Sequence, residues 1–207
     1  AMRLMFICGV IMSVCMIVDQ FMAVLAGDGA VAMINYGNRV TLGLISVIAI
    51  FWTVLYPKFV KMAAAADFSS LRATFWRFSM LGIIGLVPLC GLLAYVSKDL
   101  IMLLFERGAF TQDDTAIVAK IQALYFMHIP CYALCMMCMR VANTFENTNL
   151  LLLGNSLSLG LNILLNFVFI EQYGVIGIPI ATFIAYCIMV LFWFFAANWL
   201  FTKAEAA

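Results

Sequence analysis

Six long apolar runs occupy most of this 207-residue chain, and they constrain its fold more than any other feature. An α-helix needs roughly 20 residues to cross about 30 Å of hydrocarbon, and every run reaches that length. The runs are continuous and rich in Leu, Ile, Phe and Met, unlike the short alternating strands of membrane barrels. The sequence predicts an all-α integral membrane protein with one membrane domain, residues 1–207, and spans near residues 4–25, 30–56, 78–105, 116–144, 150–170 and 175–201.

Composition leaves little of the chain for soluble chemistry. Hydrophobic residues make up 67% and charged residues 10%, which lies far from soluble globular usage. The sequence contains no phosphate-binding glycine loop, nucleophile elbow or zinc-protease motif, so we expect neither an enzyme nor a cofactor. The net charge of +1 gives no reason to expect a nucleic-acid partner. No cleavable signal peptide is expected, because the first run is too long for one and contains Asp19.

Basic residues favour one side of the membrane. With the N-terminus inside, three basic residues mark the outer ends, Lys98, Arg107 and Lys120, whereas the cytoplasmic segments hold Arg3, Lys58, Lys61, Arg72, Arg77, Arg140 and Lys203. Because cytoplasmic loops carry the excess of Lys and Arg, we expect both termini in the cytoplasm.

The largest cytoplasmic connection predicts a helix near residues 61–77. Asp67 is a candidate cap, and Phe68, Leu71, Phe75 and Phe78 follow at helical spacing. With basic residues beside this apolar face, the segment is typical of an interfacial helix that lies on anionic membrane lipid. The alternative is a simple extension of the next spanning helix.

Two charged residues fall inside predicted spans. With about 1.5 Å of rise per residue, Arg39 lies roughly 13 Å, and Asp19 about 10 Å, from the outer ends of their helices. Neither charge suits lipid, so each should face water, a counter-ion or a ligand. Arg39 and Asp19 either form a structural pair with each other or belong to two separate sites.

A polar stripe runs down the fifth predicted span, where Asn155, Ser158, Asn162 and Asn166 recur every three or four residues. Asn162 and Asn166 fall in the outer-central part of the bilayer, as do Asp19 and Thr182. Thr182 lies in the last span and follows Ile178 by one turn. These oxygens, with a backbone carbonyl near Pro179, would suit a hard cation such as sodium. Asparagines that hydrogen-bond neighbouring helices as packing contacts are the alternative.

Another group superficially resembles a metal site. It consists of His128, Cys131, Cys135 and Cys138, but its ten residues extend about 15 Å along a helix, too far for one tetrahedral ion. We expect no transition metal there, and we interpret the seven cysteines mostly as small buried apolar residues.

Five motifs carry a resemblance to a known family. They are "VDQFMA" (18–23), "INYGNRV" (34–40), "TVLYPKF" (53–59), "LLFERGAFTQDDTA" (103–116) and "YGVIGIPIATFIAY" (173–186). In these motifs the chain resembles the MurJ or MviN lipid II flippases of the multidrug, oligosaccharide-lipid and polysaccharide (MOP) transporter superfamily. The resemblance covers almost the whole chain and corresponds to the second half of that family's core, helices seven to twelve.

The resemblance implies a function in the bacterial cytoplasmic membrane: flipping of lipid II, or of a related polyprenyl-pyrophosphate saccharide, by alternating access coupled to a cation gradient or membrane potential. It assigns Arg39 to the anionic head group. It assigns a sodium site to Asp19, Asn162, Asn166, Thr182 and the carbonyl of Ile178, although sodium-binding members carry aspartate at the position of Asn166. A first six-helix half or a second copy is expected as partner, because the other cavity arginines lie on first-half helices.

Two other functions remain open at the level of sequence. A cation-coupled drug or polysaccharide exporter of the same superfamily would have an acidic rather than an arginine-lined cavity. A non-transporting half that acts as a membrane scaffold needs no cavity.

Overall fold

The computed structural model describes residues 2–108 and 110–206. Within them the chain forms seven α-helices and one short 3₁₀ turn, Gly174–Ile176. The helices are α1 Met2–Leu25, α2 Ala30–Ala64, α3 Phe68–Tyr95, α4 Ser97–Phe105, α5 Gln112–Thr144, α6 Thr148–Tyr173 and α7 Gly177–Glu205. The all-α prediction is confirmed. The side chain of Arg3, one of the residues used to predict the orientation, lies outside the described part.

Four stretches of the described residues are long and apolar enough to cross a membrane: α2, α3, α5 and the combined segment Thr148–Glu205. The last of these contains two helices that lie antiparallel, because Gly154 faces Trp193 while Gly177 faces Phe169. The chain is therefore an all-α membrane protein.

Helix α5 is the centre of the bundle and packs against α2, α3, α4 and α7. In the apolar span of α5, 61% of the residues are buried, against 11% in α3. This central position explains why α5 holds buried polar groups. Gln122, for example, is fully buried and accepts a hydrogen bond from the Ser97 hydroxyl of α4 at 3.1 Å.

Side-chain caps define where three helices begin. Asp67 accepts a hydrogen bond from the backbone N–H of Ser70 at 3.1 Å, which confirms the predicted cap of α3. Hydrogen bonds from the Ser70 hydroxyl and N–H lower the pKa of the Asp67 carboxyl. Thr111 and Asp114 form a capping box at α5, and Asn147 caps α6. Each cap satisfies N–H groups that the first turn of a helix leaves without partners.

The predicted interfacial helix at residues 61–77 is not a separate element, so this prediction is wrong. Residues 61–64 end α2, and residues 68–77 form the beginning of α3. The apolar face packs into the bundle rather than onto lipid: Leu71 and Phe75 are fully buried, and the Phe75 ring lies 5.4 Å from that of Phe201 in α7. The predicted run 78–105 is also divided, because the chain turns at Val96 between α3 and α4.

Candidate functional site

Three predicted site residues meet between α1 and α6. The Asp19 carboxylate oxygen Oδ1 accepts hydrogen bonds from Nδ2 of Asn162 at 3.0 Å and from Nδ2 of Asn166 at 2.9 Å. Nδ2 of Asn166 also donates to Oδ1 of Asn162 at 3.2 Å. Both asparagines are buried. Their spacing of four residues places them one turn apart on the face of α6 that packs against α1.

The acceptor atoms of this cluster are only partly satisfied. Within the described part of the chain, the buried Oδ1 of Asn166 has no hydrogen-bond donor. An unpaired acceptor in a buried position costs about 1–3 kcal/mol. A cation that approaches the Asp19 carboxylate would remove this cost if the Asn166 amide turned its oxygen toward the ion, because amide oxygens are good ligands for hard cations.

The other two predicted cation ligands lie on α7. The Thr182 hydroxyl donates to the backbone oxygen of Ile178 at 3.0 Å, and both residues are buried. Ile178 packs with Met22 and Ala23 of α1, about one turn beyond Asp19. Among the described residues, no hydrogen bond joins Ile178 or Thr182 to the Asp19 cluster. The structure therefore brings three of the five predicted ligands into direct contact. Ile178 packs against α1, the helix that carries Asp19.

Arg39 projects from the side of α2 that faces away from α5. Ile34, Gly37 and Thr41 are buried against the bundle, while Arg39 is exposed. The contact between α2 and α5 is close: a Cβ at Gly37 would overlap the side chain of Ile121. At 100° per residue, Arg39 lies about 160° around the helix from Gly37, so no part of the α2–α5 contact covers it.

Arg39 and Asp19 do not form the structural pair considered as one alternative. Asp19 is held by two asparagines, and among the described residues the salt bridge present is between Arg72 and Glu205, at 3.1 Å. Arg39 therefore has no carboxylate within salt-bridge distance in this part of the molecule. The two charges belong to different places: Asp19 to the α1–α6 contact, and Arg39 to an exposed face of α2.

Four polar side chains recur along the exposed face of α2, which also carries the exposed apolar residues Leu42 and Ile50. Asn35, Arg39, Ser46 and Thr53 follow one another at intervals of four or seven residues, and all four are exposed. The hydroxyls of Ser46 and Thr53 donate to backbone oxygens one turn earlier, each at 2.8 Å. A polar face at membrane depth is expected where a helix lines water or protein rather than lipid. Arg39 thus stands in a stripe of polar residues on a partly apolar surface.

Sequence reasoning missed one contact on this surface. Nε2 of Gln20 donates to Oδ1 of Asn35 at 3.2 Å and so joins α1 to α2 beside Arg39. The available signal was positional: Gln20 follows Asp19 directly, and Asn35 precedes Arg39 by one turn. Neither spacing could show that the two amides meet across helices.

His128, where the sequence led us to expect no transition metal, lies in a region rich in aromatic rings. The imidazole lies among the rings of Tyr125, Tyr132 and Tyr186, with centroid distances of 5.8, 6.3 and 5.3 Å. Nearby, Sγ of Cys131 lies 3.8 Å from Sγ of Cys187, and both are free thiols. These groups pack α5 against α7.

Comparison with known proteins identifies one family. The family model described as lipid II flippase MurJ matches residues 1–206. Curated relatives include the lipid II flippase MurJ of Thermosipho africanus, 33% identical over 106 residues, which covers 51% of this chain and 22% of that protein. The probable lipid II flippase MurJ of Synechocystis sp. is 28% identical over 154 residues, covering 74% of this chain and 29% of that protein. The chain thus spans less than a third of either relative.

Solved structures show the same fold. A lipid II flippase MurJ in an inward closed conformation matches 97% of this chain and 44% of that chain, with a TM-score of 0.76 and 23% identity. A MOP superfamily transporter from Pyrococcus furiosus, described by the reverse polarity of its binding pocket, matches 98% of this chain and 44% of that chain, with a TM-score of 0.82 and 18% identity. The chain has the fold of slightly less than half of such a transporter.

Proposed function

Because the chain belongs to the MurJ lipid II flippase family, we propose that it forms one six-helix half of a transporter that flips lipid II or a related polyprenyl-pyrophosphate saccharide. The observation that supports this role most is Arg39, an exposed arginine in a stripe of polar residues on α2. The membrane would be the bacterial cytoplasmic membrane. The coupling is to a cation gradient or the membrane potential.

The helices provide six membrane crossings in this proposal. Helices α1, α2, α5, α6 and α7 each have at least 24 residues, enough to cross the hydrocarbon at about 1.5 Å per residue. Helix α3 supplies the remaining crossing, and the short helix α4 lies at the outer surface. With both termini in the cytoplasm, the connections from α1 to α2 and from α4 to α5 lie outside.

Arg39 supplies the anion site in this proposal. An unpaired charge at this depth is expensive in lipid, so the polar face of α2 lines a water-filled cavity. A guanidinium presents its donors in a planar fork that matches phosphate oxygens bidentately. The hydrogen-bonded amides of Gln20 and Asn35 lie one turn toward the outer end, where they can bind polar groups next to the phosphate.

The polar face of α2 also explains why a second half is needed. This chain covers one side of Arg39 only, through α2 itself and α1, and a closed cavity requires another wall. The partner is a first six-helix half or a second copy of this chain. Membrane lipid contacts the apolar outer surfaces.

The Asp19 cluster is the proposed coupling site. Its single carboxylate and amide oxygens suit a monovalent hard cation such as sodium, with the Ile178 carbonyl and Thr182 hydroxyl completing the set. Sodium-binding members carry aspartate where this chain has Asn166. The site here therefore has one negative charge instead of two. Binding of the cation should accordingly be weak.

Growth rescue tests the function. The chain is expressed together with the first half of a MurJ relative in a bacterium depleted of its own flippase. We expect rescue by the wild-type chain and by Arg77→Gln, a matched loss of an exposed basic residue on α3, but not by Arg39→Gln. Membrane expression of each variant is measured by immunoblot. Rescue by Arg39→Gln at equal expression would refute the assigned role of Arg39.

A further inference from the structure

A cleft lies at one end of the bundle, between the beginning of α2, the end of α4 and the beginning of α5. Its volume is about 570 Å³, within the range of about 300–1,000 Å³ that is usual for small-molecule sites. Gly29 and Tyr36 of the α1–α2 region form one wall, and Phe105, Arg107, Phe110 and Asp114 form the other. None of these residues belongs to the Asp19 cluster or was assigned to the head group.

Three aromatic rings shape the cleft. The centroid of the Tyr36 ring lies 5.1 Å from that of Phe105 and 5.4 Å from that of Phe110, and the two phenylalanine rings are 6.4 Å apart. Tyr36 as a whole residue is 37% exposed, so it is accessible to a ligand. An exposed aromatic ring offers a large flat apolar surface at little conformational cost. Among polar ligands, sugars commonly pack the C–H face of their ring against such an aromatic surface.

Two charged side chains stand at this aromatic wall. Asp114 is fixed by the capping box: its Oδ2 accepts from the Thr111 N–H at 2.9 Å and from the Thr111 hydroxyl at 2.8 Å. Over the described residues its Oδ1 receives no hydrogen bond, and the exposed Arg107 guanidinium has no carboxylate within salt-bridge distance. An acceptor and a planar donor fork are thus free beside the rings.

We infer that this cleft is a saccharide-binding subsite at the outer surface. Arg107 donates to sugar hydroxyls, Oδ1 of Asp114 accepts from one, and Tyr36 packs against the sugar ring. The inference rests on the proposed function for its orientation and for the source of the sugar, the head group of the lipid-linked saccharide. Tyr36 precedes Arg39 by three residues, about 4.5 Å along α2. A sugar in the cleft would therefore lie close to a pyrophosphate bound at Arg39.

Binding of soluble sugars to the purified chain in detergent tests the inference. The probes are N,N′-diacetylchitobiose and maltose, and saturation-transfer NMR measures their binding. Loss of a charged hydrogen-bonding group weakens binding by roughly tenfold or more. We expect this loss with Arg107→Gln, and a loss of similar size with Tyr36→Leu. Lys98→Gln, a matched change on α4 away from the cleft, should bind as the wild type does. Arg107 is exposed, so its replacement leaves the packed bundle intact.

Failure of the cleft and failure of the flippase proposal give different results. Geranyl pyrophosphate is measured in parallel as a probe of Arg39. If neither sugar binds, or if Arg107→Gln and Lys98→Gln bind equally well, the saccharide subsite is refuted, even when geranyl pyrophosphate still binds. Sugar binding that depends on Arg107, together with no growth rescue by the wild-type chain expressed with the first half, supports the subsite and contradicts the proposed function.

Discussion

Restoring a second carboxylate at the Asp19 cluster should make the stability of the chain depend on sodium. In the substitution Asn166→Asp, a carboxylate replaces the amide whose Nδ2 donates to Asp19 at 2.9 Å and to Asn162 at 3.2 Å. The donated bond to a charged group is worth about 1.5–3 kcal/mol, and it is lost. In its place, two negative charges about 3 Å apart repel by roughly 5 kcal/mol at an effective dielectric constant of about 20.

A bound cation reverses this repulsion. A ligand at roughly 100 times its Kd stabilises the folded state by about 2.7 kcal/mol, which corresponds to a rise in Tm of about 5–10 °C for a chain of this size. We therefore expect Asn166→Asp to unfold at lower temperature than the wild type in choline chloride and to regain stability in sodium chloride at equal ionic strength. The wild type, with one carboxylate, should respond less.

Thermal unfolding of the purified proteins in detergent measures the effect, and Asn155→Asp is the matched control. Asn155 is also a buried asparagine of α6, but it lies about 16 Å from Asn166 along the helix. Its substitution should destabilise the chain without a response to sodium. Equal Tm values for Asn166→Asp in the two salts, or a sodium response as large in Asn155→Asp, would refute the cation site.

Three further predictions concern the fold. Gly37→Val should destabilise the bundle by about 1–3 kcal/mol in chemical denaturation, since a Cβ there meets Ile121. Gly43→Val is the control and should cost less, because Gly43 has open space around it. Equal losses of stability would contradict the α2–α5 contact. A short thiol-specific cross-linker should join Cys131 to Cys187, detected by mass spectrometry of peptides, and cross-linking of other cysteines in its place would contradict the α5–α7 packing. Thr111→Ala removes the capping box and should cost about 1 kcal/mol; unchanged stability would argue against this cap.

The sequence carried enough information to find the polar cluster but not its detailed geometry. Asn162 and Asn166 follow a helical period, and the depth of Asp19 placed it at their level. The direction of the amides depends on how α1 meets α6, and the period of one helix contains no such information. In the structure the amide nitrogens, rather than the oxygens, face Asp19.

The interfacial helix was predicted wrongly for a physical reason. Phe68, Leu71 and Phe75 form an apolar face at helical spacing, and such a face can lie either on lipid or in a protein core. Leu71 and Phe75 are buried in the bundle, and the Phe75 ring contacts that of Phe201 in α7, more than 100 residues later in the chain. Only the tertiary arrangement distinguishes the two environments.

The aromatic cleft could not be predicted from the sequence for the same reason. Tyr36 and Phe110 are 74 residues apart, and no spacing in the sequence relates the two rings. The fold brings their rings to 5.4 Å. Arg39, by contrast, becomes a candidate site residue from its predicted depth alone, because a charge within an apolar run is costly wherever the neighbouring helices lie.

Binding of geranyl pyrophosphate to the purified chain tests the central claim most directly, because it asks whether Arg39 binds a polyprenyl pyrophosphate. Calorimetry compares the wild type with Arg39→Gln and Arg77→Gln. Loss of one charge-assisted hydrogen-bonded contact is worth about 1.5–3 kcal/mol, or roughly 10- to 150-fold in Kd. We predict that loss for Arg39→Gln and an unchanged Kd for Arg77→Gln. Equal affinities for all three proteins would contradict the account.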